Sequence, residues 1–464
     1  YYPKNNPNFI KKAHLSVSNQ SVDQFIYYFP TGLSLNKGEI YEYYFEVFDN
    51  DVVNNFKSSK SVVFLHNELT DEQKQDNYFK NQKESINSLE KTLQKQDKQL
   101  NTLDKLQKLN KEKSTFDFKD QKKIEDFIKS QQRQDEMMSD FTKRLIDNLE
   151  NFNPKEQDKA KEDLLKRLEE TQKQSEKNEK LLNELDNLQK KLDKEQLFDK
   201  ADKLKQNAKN QQKNLEQLVE LTKRFYVEKK AVQIADKLDK LSKKQEELSK
   251  NKDSNLQDQK QVSDDFEKIA NEMDQLKQED NNLKSPLEIP NDNIEKESIS
   301  NELKQAEENL KDNNSSKASQ SQKNASKKMK ELSKSLSSTM ETNEANQMQE
   351  DERALRQILD NLLAFSNHEE SLILPTSQAL TRSFSVSKIL KRQQELKQQF
   401  QHIDDSIFAV SLRNPKISDF ILNEVGTIHY NMDKSLETIS DNDLARGVSF
   451  QQFVLTSANR LADF

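Results

Sequence analysis

Two patterns of apolar and polar positions divide the chain. Over Ile40–Val47 they alternate, with Tyr41, Tyr43, Phe45 and Val47 on one side and Glu42 and Glu46 on the other. That is the period of a half-buried strand. Asn36-Lys37-Gly38 and Asp49-Asn50-Asp51 bracket it as turns, Ser61–Leu65 predicts a second strand, and Gln24–Phe29 predicts a third. Residues 1–67 therefore read as a small antiparallel β unit, the C-terminal part of a β-sandwich-like domain whose first strands would precede Tyr1.

From about Thr70 the apolar residues recur at helical spacing, and no glycine occurs between Gly38 and Gly426. Thr70 predicts a helix N-cap with Gln73 at the reciprocal position. Leu89, Leu93, Leu100 and Leu103 follow, then Ile124, Phe127, Ile128, Met137, Met138, Leu145 and Leu149. A break is expected near Ser114–Phe116, and Asn153-Pro154 predicts a cap followed by proline at the first helical position. Leu164, Leu168, Leu181, Leu185, Leu188 and Leu192 mark the next helix. The densest apolar stretch follows, and Leu218, Leu221, Phe225, Ile234, Leu238 and Leu241 form its expected packing seam. A softer break falls at Asn251–Ser254.

These periods set the expected domains: a long helical coiled-coil region over 70–284, a linker with a short helix over 285–326, a helix of a small bundle over 327–367, and a C-terminal helical bundle over 376–464. Pro286 and Pro290 interrupt the helical pattern, because proline lacks an N–H and disfavours helix in the residue before it. Asn313–Ser326, rich in Ser, Asn and Lys, reads as a frayed or disordered connector. Leu355, Ile358, Leu359, Leu362 and Leu363 form a face too broad for a two-stranded seam, and Pro375 marks a connection. As one straight helix the long region would reach on the order of 400 Å at 1.5 Å per residue. Folded-back hairpins fit the breaks better. The fold class is mainly α, elongated coiled-coil-like hairpins or a bundle behind a small antiparallel β unit.

Composition sharpens this picture. Of 464 residues, 32% are hydrophobic and 33% charged, too little apolar material for one large core and suited to helices that each bury a stripe. Disorder is the competing reading; scarce glycine and proline and regular leucine spacing oppose it. The net charge is −7 with both signs interleaved. Phosphate backbones need clustered Lys and Arg, so nucleic acid is not an expected partner. With no cysteine there is neither a disulfide framework nor a thiolate metal site. The chain begins at Tyr1 and ends at Phe464 inside an expected helix, as a fragment would.

Candidate chemistry is sparse. Phosphate-cradling loops need glycines that the helical region lacks. His14, His66, His368, His402 and His429 are far apart in sequence; His402 and Asp405 could share a helix face, and otherwise read as surface residues. Asp49 and Asp51 have a spacing that can hold calcium, against the plainer reading of a turn. Arg224-Phe225-Tyr226 with Lys229 and Lys230 mixes basic and aromatic groups as nucleic-acid stacking sites do, but Phe225 falls in register with Leu218 and Leu221 and reads as packing. Met137-Met138 reads as core filler or a plastic binding face. No catalytic, cofactor-binding or metal residue is expected, and no small-molecule substrate.

Five strings carry a resemblance: Tyr43–Asp51, Leu218–Lys230, Arg356–Leu363, Asp404–Arg413 and Val454–Phe464. Together the chain resembles, over nearly its whole length, the flavobacterial (Bacteroidota) proteins of domain-of-unknown-function family 4175. The resemblance implies a longer protein with an N-terminal membrane anchor and this region outside the inner membrane, in the periplasm. It implies no catalytic residues. The expected function is a non-enzymatic scaffold or spacer of the cell envelope, acting on a protein partner or its own copies through helix packing, with the membrane reached only through other segments. One alternative is a coiled-coil arm of an ATP-driven machine whose nucleotide-binding parts lie elsewhere. Another is a calcium-binding or peptidoglycan-associated accessory resting on Asp49 and Asp51.

Overall fold

A computed structural model describes residues 1–16, 22–49, 51–53, 56–111, 118–152, 158–189, 194–251, 255–379 and 386–464. The chain is mainly α, with ten helices and five short strands among the described residues. It divides into two compact units, Tyr1–Asn81 and Gln82–Phe464.

In the first unit β1 (Tyr2–Pro3), β2 (Ile40–Tyr43) and β5 (Phe64–Asn67) form an antiparallel sheet in the order β1-β2-β5. A separate hairpin pairs β3 (Glu46–Phe48) with β4 (Ser58–Lys60). The expected strand over Ile40–Val47 is thus split. At the break, Phe45 N–H donates to Ser61 Oγ (3.0 Å) and Ser61 N–H to Phe45 O (2.9 Å). Beyond it Val47 is 66% exposed, because β3 pairs with β4 alone among the described residues. Gln24–Phe29 is not a strand. Its aromatics pack instead of pairing: Phe29 stacks on Tyr43 at 4.0 Å between ring centres, and Phe25 meets Phe45 edge-on at 5.4 Å. Aromatic spacing thus marked a cluster rather than a ladder. Gly38 has φ +86°, and a Cβ there would stand 2.8 Å from Thr70 Cγ2. Thr70 opens α1 (Asp71–Lys111) with reciprocal bonds: Gln73 N–H to Thr70 Oγ1 (3.1 Å) and Thr70 N–H to Gln73 Oε1 (3.0 Å).

The second unit takes in the rest of α1, then α2 (Phe118–Asn151), α3 (Lys159–Gln189), α4 (Lys194–Lys250), α5 (Leu256–Asn281), α6 (Asn293–Lys311), α7 (Ser315–Gln378), α8 (Val386–Ser411), α9 (Asp419–Ser440) and α10 (Leu444–Asp463). Helix α4 packs on α3, α5, α7 and α9; α6 lies against α5 and α7; the second half of α7 joins α8, α9 and α10 around Phe365, Phe400, Ile428 and Val454. The break expected at Ser114–Phe116 and the cap at Asn153-Pro154 lie outside the described residues. So do 252–254 and the side chains of Leu100, Leu103, Ile124, Leu181, Leu185, Leu188 and Leu192. Asn255 caps α5, its Oδ1 accepting from Asp258 N–H at 2.8 Å.

The largest departure from expectation is the supposed connector. Residues from Ser315 are helical, and Ala318, Ser321, Gln322, Ala325 and Ser326 are buried. Ser319 Oγ donates to Ser249 O (2.6 Å), Ser326 Oγ to Ser242 O (2.8 Å) and Ser333 Oγ to Ala235 O (2.7 Å). Each step of seven along α7 meets a step of seven back along α4, so the helices run antiparallel in a fixed heptad register. Small side chains let the backbones approach, and the hydroxyls satisfy themselves on carbonyls across the gap. Pro375 does not end α7 early: it sits in the last turn, where one missing N–H bond costs little. The face expected to bury Leu355 through Leu363 is only half covered. Ile358 and Leu362 are buried, but Leu355, Leu359 and Leu363 are 38%, 39% and 46% exposed.

A polar layer crosses the C-terminal bundle. Both carboxylate oxygens of buried Glu369 accept from Gln393 Nε2 (3.0 and 2.9 Å), and Gln451 Nε2 donates to Gln393 Oε1 (2.7 Å). Burial pushes the Glu369 carboxyl up to about 7, with the Gln393 hydrogen bond pulling the other way.

Two outcomes follow. Ser326→Leu, by overfilling the closest approach of α4 and α7, is expected to lower urea-unfolding stability by about 1–3 kcal/mol, whereas Ser326→Ala loses about 1 kcal/mol or less. Glu369 binds its proton more tightly folded than unfolded, where its value is 4.5. Its contribution is therefore complete below about 4.5 and lost as pH rises through about 7. Glu369→Gln should gain on the parent protein in melting temperature at pH 8 relative to pH 5; a constant difference between the two would contradict the assignment.

Candidate functional site: a groove on α4 and α7

The candidate site grows out of the middle of α4. Leu218, Leu221, Phe225, Ile234, Leu238 and Leu241, the seam residues, are all buried. They do not share one neighbour. Phe225 meets Phe152 edge-on at 6.4 Å, and Lys229 Nζ lies over the Phe225 ring, 5.3 Å from its centre. Leu221 and Phe225 reach the floor of an open groove of about 420 Å³. Leu164 on α3, Leu287, and Met340, Met348 and Leu355 on α7 extend that apolar floor. Charged groups of both signs stand around it, among them Lys159, Glu228, Glu352 and Lys416.

A hydrogen-bonded chain holds one wall. Arg224 donates to Ser285 O (2.7 Å) and to the Gln347 side-chain oxygen. Gln347 Nε2 donates to Arg413 O (3.0 Å). Arg413 Nε donates to Asp351 Oδ1 (2.7 Å), and Asn414 Nδ2 to Asp351 Oδ2 (3.1 Å). The segment carrying Pro286 and Pro290 is pinned to the same wall: buried Asp280 accepts from Leu287 N–H (2.6 Å) and Ile289 N–H (3.0 Å), and Glu220 from Lys284 N–H (2.5 Å). Burial pushes Glu220 up, and the backbone N–H donors of Lys284 and Ser285 with the Lys223 ammonium oppose the rise.

Two buried charge networks fix the helices beneath. Arg167 of α3 is buried, with Nη2 2.5 Å from Asp419 of α9 and from Gln217 Oε1 of α4. Gln217 Nε2 then donates to Ser411 O (3.1 Å) and Ile417 O (2.8 Å). One helical step away, Lys213 Nζ reaches both oxygens of Asp404 at 2.7 Å, and His429 Nε2 lies 2.8 Å from Asp404 Oδ2. Burial alone would push Asp404 up, but the His429 hydrogen bond and the Lys213 ammonium outweigh it and hold the carboxyl below its usual range. Such pairs are worth most as pins, because removing one partner leaves an uncompensated buried charge.

The other candidates are dispersed. His402 and Asp405 are both exposed, and Asp405 accepts from Gln401 instead. The histidine that finds a carboxylate is His429, with Asp404. Asp49 Oδ1 accepts from Asp51 N–H (3.2 Å) and Asp51 Oδ1 from Val53 N–H (3.2 Å), the bonding of a turn between β3 and β4; Asn50 lies outside the described residues. Tyr226 is buried, and its hydroxyl is pushed up chiefly by burial, with Glu279 adding to the rise. Lys229 pairs with Asp158 (2.8 Å) and Lys230 with Glu272 (2.8 Å). Met137 is on the surface while Met138 is buried. The groove itself had one visible signal, the excess width of the apolar face from Leu355 to Leu363.

Comparison with known proteins reaches only part of the chain. The family model TP_0813_N, described as an N-terminal domain and of unknown function, matches residues 295–402. That span contains the serine register of α7, the half-exposed leucines and most of α8. No curated protein matches the chain, and no solved structure does. Among the described residues no helix is long and apolar enough to cross a membrane.

Proposed function

We propose that the chain is a non-enzymatic scaffold whose groove receives an amphipathic helix of a protein partner. The observation that carries this reading is continuity. Met348 and Leu355 line the groove, and Leu359 and Leu363 continue the same stripe along α7, half exposed and beyond the groove's end. Residues at that spacing present a narrow apolar seam of the kind a helix fills. Charges of both signs at the rim would set its register rather than its strength. The envelope location, the inner-membrane anchor and the relation to the flavobacterial family 4175 proteins belong to the same proposal, and they rest on the five sequence strings.

A photocrosslinking residue placed at Leu359, in the protein expressed in its native cells, is expected to yield one discrete adduct whose mass identifies a partner or a second copy. Leu355→Asp or Leu363→Asp should reduce that adduct several-fold. A yield no greater than from the exposed polar position Lys327 would contradict the reading.

A further inference from the structure

The small sheet of the first unit ends on one side in a strand edge that carries no device against further pairing. In an antiparallel ladder alternate residues turn their N–H and C=O to opposite edges. Lys4 N–H donates to Ile40 O at 2.8 Å, so Ile40 and Glu42 turn toward β1, and Tyr41 and Tyr43 turn toward β5. Their partners His66 and Phe64 therefore face β2, and Leu65 and Asn67 turn their backbone groups outward. Among the described residues no strand and no backbone hydrogen bond meets them there. The side chains are as open: Val62, Val63 and Leu65 are 72%, 53% and 63% exposed.

The other strand edges of this unit are blunted. On the outer side of β1, Pro3 has no N–H to offer, and Tyr1 is tied to Lys11 by bonds of 2.8 and 2.9 Å. The β3–β4 hairpin carries Glu46 on one strand and Lys60 on the other, with Asp49 and Lys57 beside them. By contrast Ser61-Val-Val-Phe-Leu-His-Asn67 holds no proline, lysine or carboxylate. A neutral apolar edge is a template for another strand. Its backbone fixes the chemistry of the occupant, an extended segment, and the flanking charges select which one. Lys60 stands at one end of the neutral run and Glu68 at the other, paired only at the surface with Glu46 (3.8 Å) and Lys37 (3.4 Å). A copy of the same run laid antiparallel brings the Lys60 end of one chain beside the Glu68 end of the other. Laid parallel, it would set like charge beside like.

We propose that two copies of this chain associate through β5, pairing antiparallel about a two-fold axis so that two three-stranded sheets join into one. Such an isologous contact needs no second surface, because the same edge supplies both sides. Val63 and Leu65 of each copy then share one face of the joined sheet, and Val62 and Phe64 share the other. The edge is short and its hydrogen bonds are few, so the association is weak and depends on concentration. It uses none of the residues of the groove on α4 and α7.

Sedimentation velocity of the full chain over a concentration series tests this, with crosslinking to place the contact. The expected result is a monomer–dimer equilibrium that moves to dimer as concentration rises. Leu65→Lys, at a position already exposed, should leave monomer alone across the series. Val53→Lys, in the equally open turn between β3 and β4, should leave the equilibrium unchanged. The chain has no cysteine, so single cysteines report position. Val63→Cys and Leu65→Cys should form intermolecular disulfides under mild oxidation several-fold faster than Val53→Cys. Monomer throughout the series would assign the edge to a strand of another protein and overturn the proposal. A dimer that survives Leu65→Lys, a dimer lost equally in Val53→Lys, or cysteines at 63 and 65 that crosslink no faster than at 53 would also overturn it.

Discussion

Helix α7 can lie close against α4 only where small side chains separate them, and the three serine hydroxyls at heptad spacing fix where that happens. Ser319, Ser326 and Ser333 donate to carbonyls at Ser249, Ser242 and Ala235, so all three hydroxyls are satisfied across the gap in this register. The two longest helices, of 57 and 64 residues, are thereby locked antiparallel. At 1.5 Å per residue each spans on the order of 90 Å, long enough for the first half of α7 to meet α4 while its second half builds a different bundle with α8, α9 and α10.

That division creates the groove. Past Met340, α3, Leu287 and the segment from Arg413 to Lys416 border the opening. The Arg224–Gln347–Arg413–Asp351 chain keeps this wall in place, and the buried pair Arg167–Asp419 and the set Lys213–Asp404–His429 around buried Asp404 keep α3, α8 and α9 at fixed positions on α4. None of these pins supplies the large stabilising term, which comes from the apolar stripes. They select one arrangement among several that the stripes alone would permit.

The mainly helical architecture was legible because leucine spacing reports burial directly, and the Thr70–Gln73 cap because it is local. The first twelve residues of α7, Ser315–Ser326, were not. Ser, Asn and Lys there have the composition of a connector, and only the position of α4 turns the serines into a packing surface. Gln24–Phe29 misled in the opposite sense: its aromatics pack on Tyr43 and Phe45 without any strand pairing. Networks such as Asp404 with His429 and Arg167 with Asp419 join residues set apart by helix packing, which no local period encodes.

Native-state hydrogen exchange tests the central claim most directly. If the serine register holds α7 to α4, amides from Ala318 to Leu336 should be as strongly protected as those from Ala231 to Leu248, and both should open together as denaturant is added. Rapid exchange over Ala318–Leu336 beside a protected α4 would show a connector rather than a packed helix, and would contradict the account.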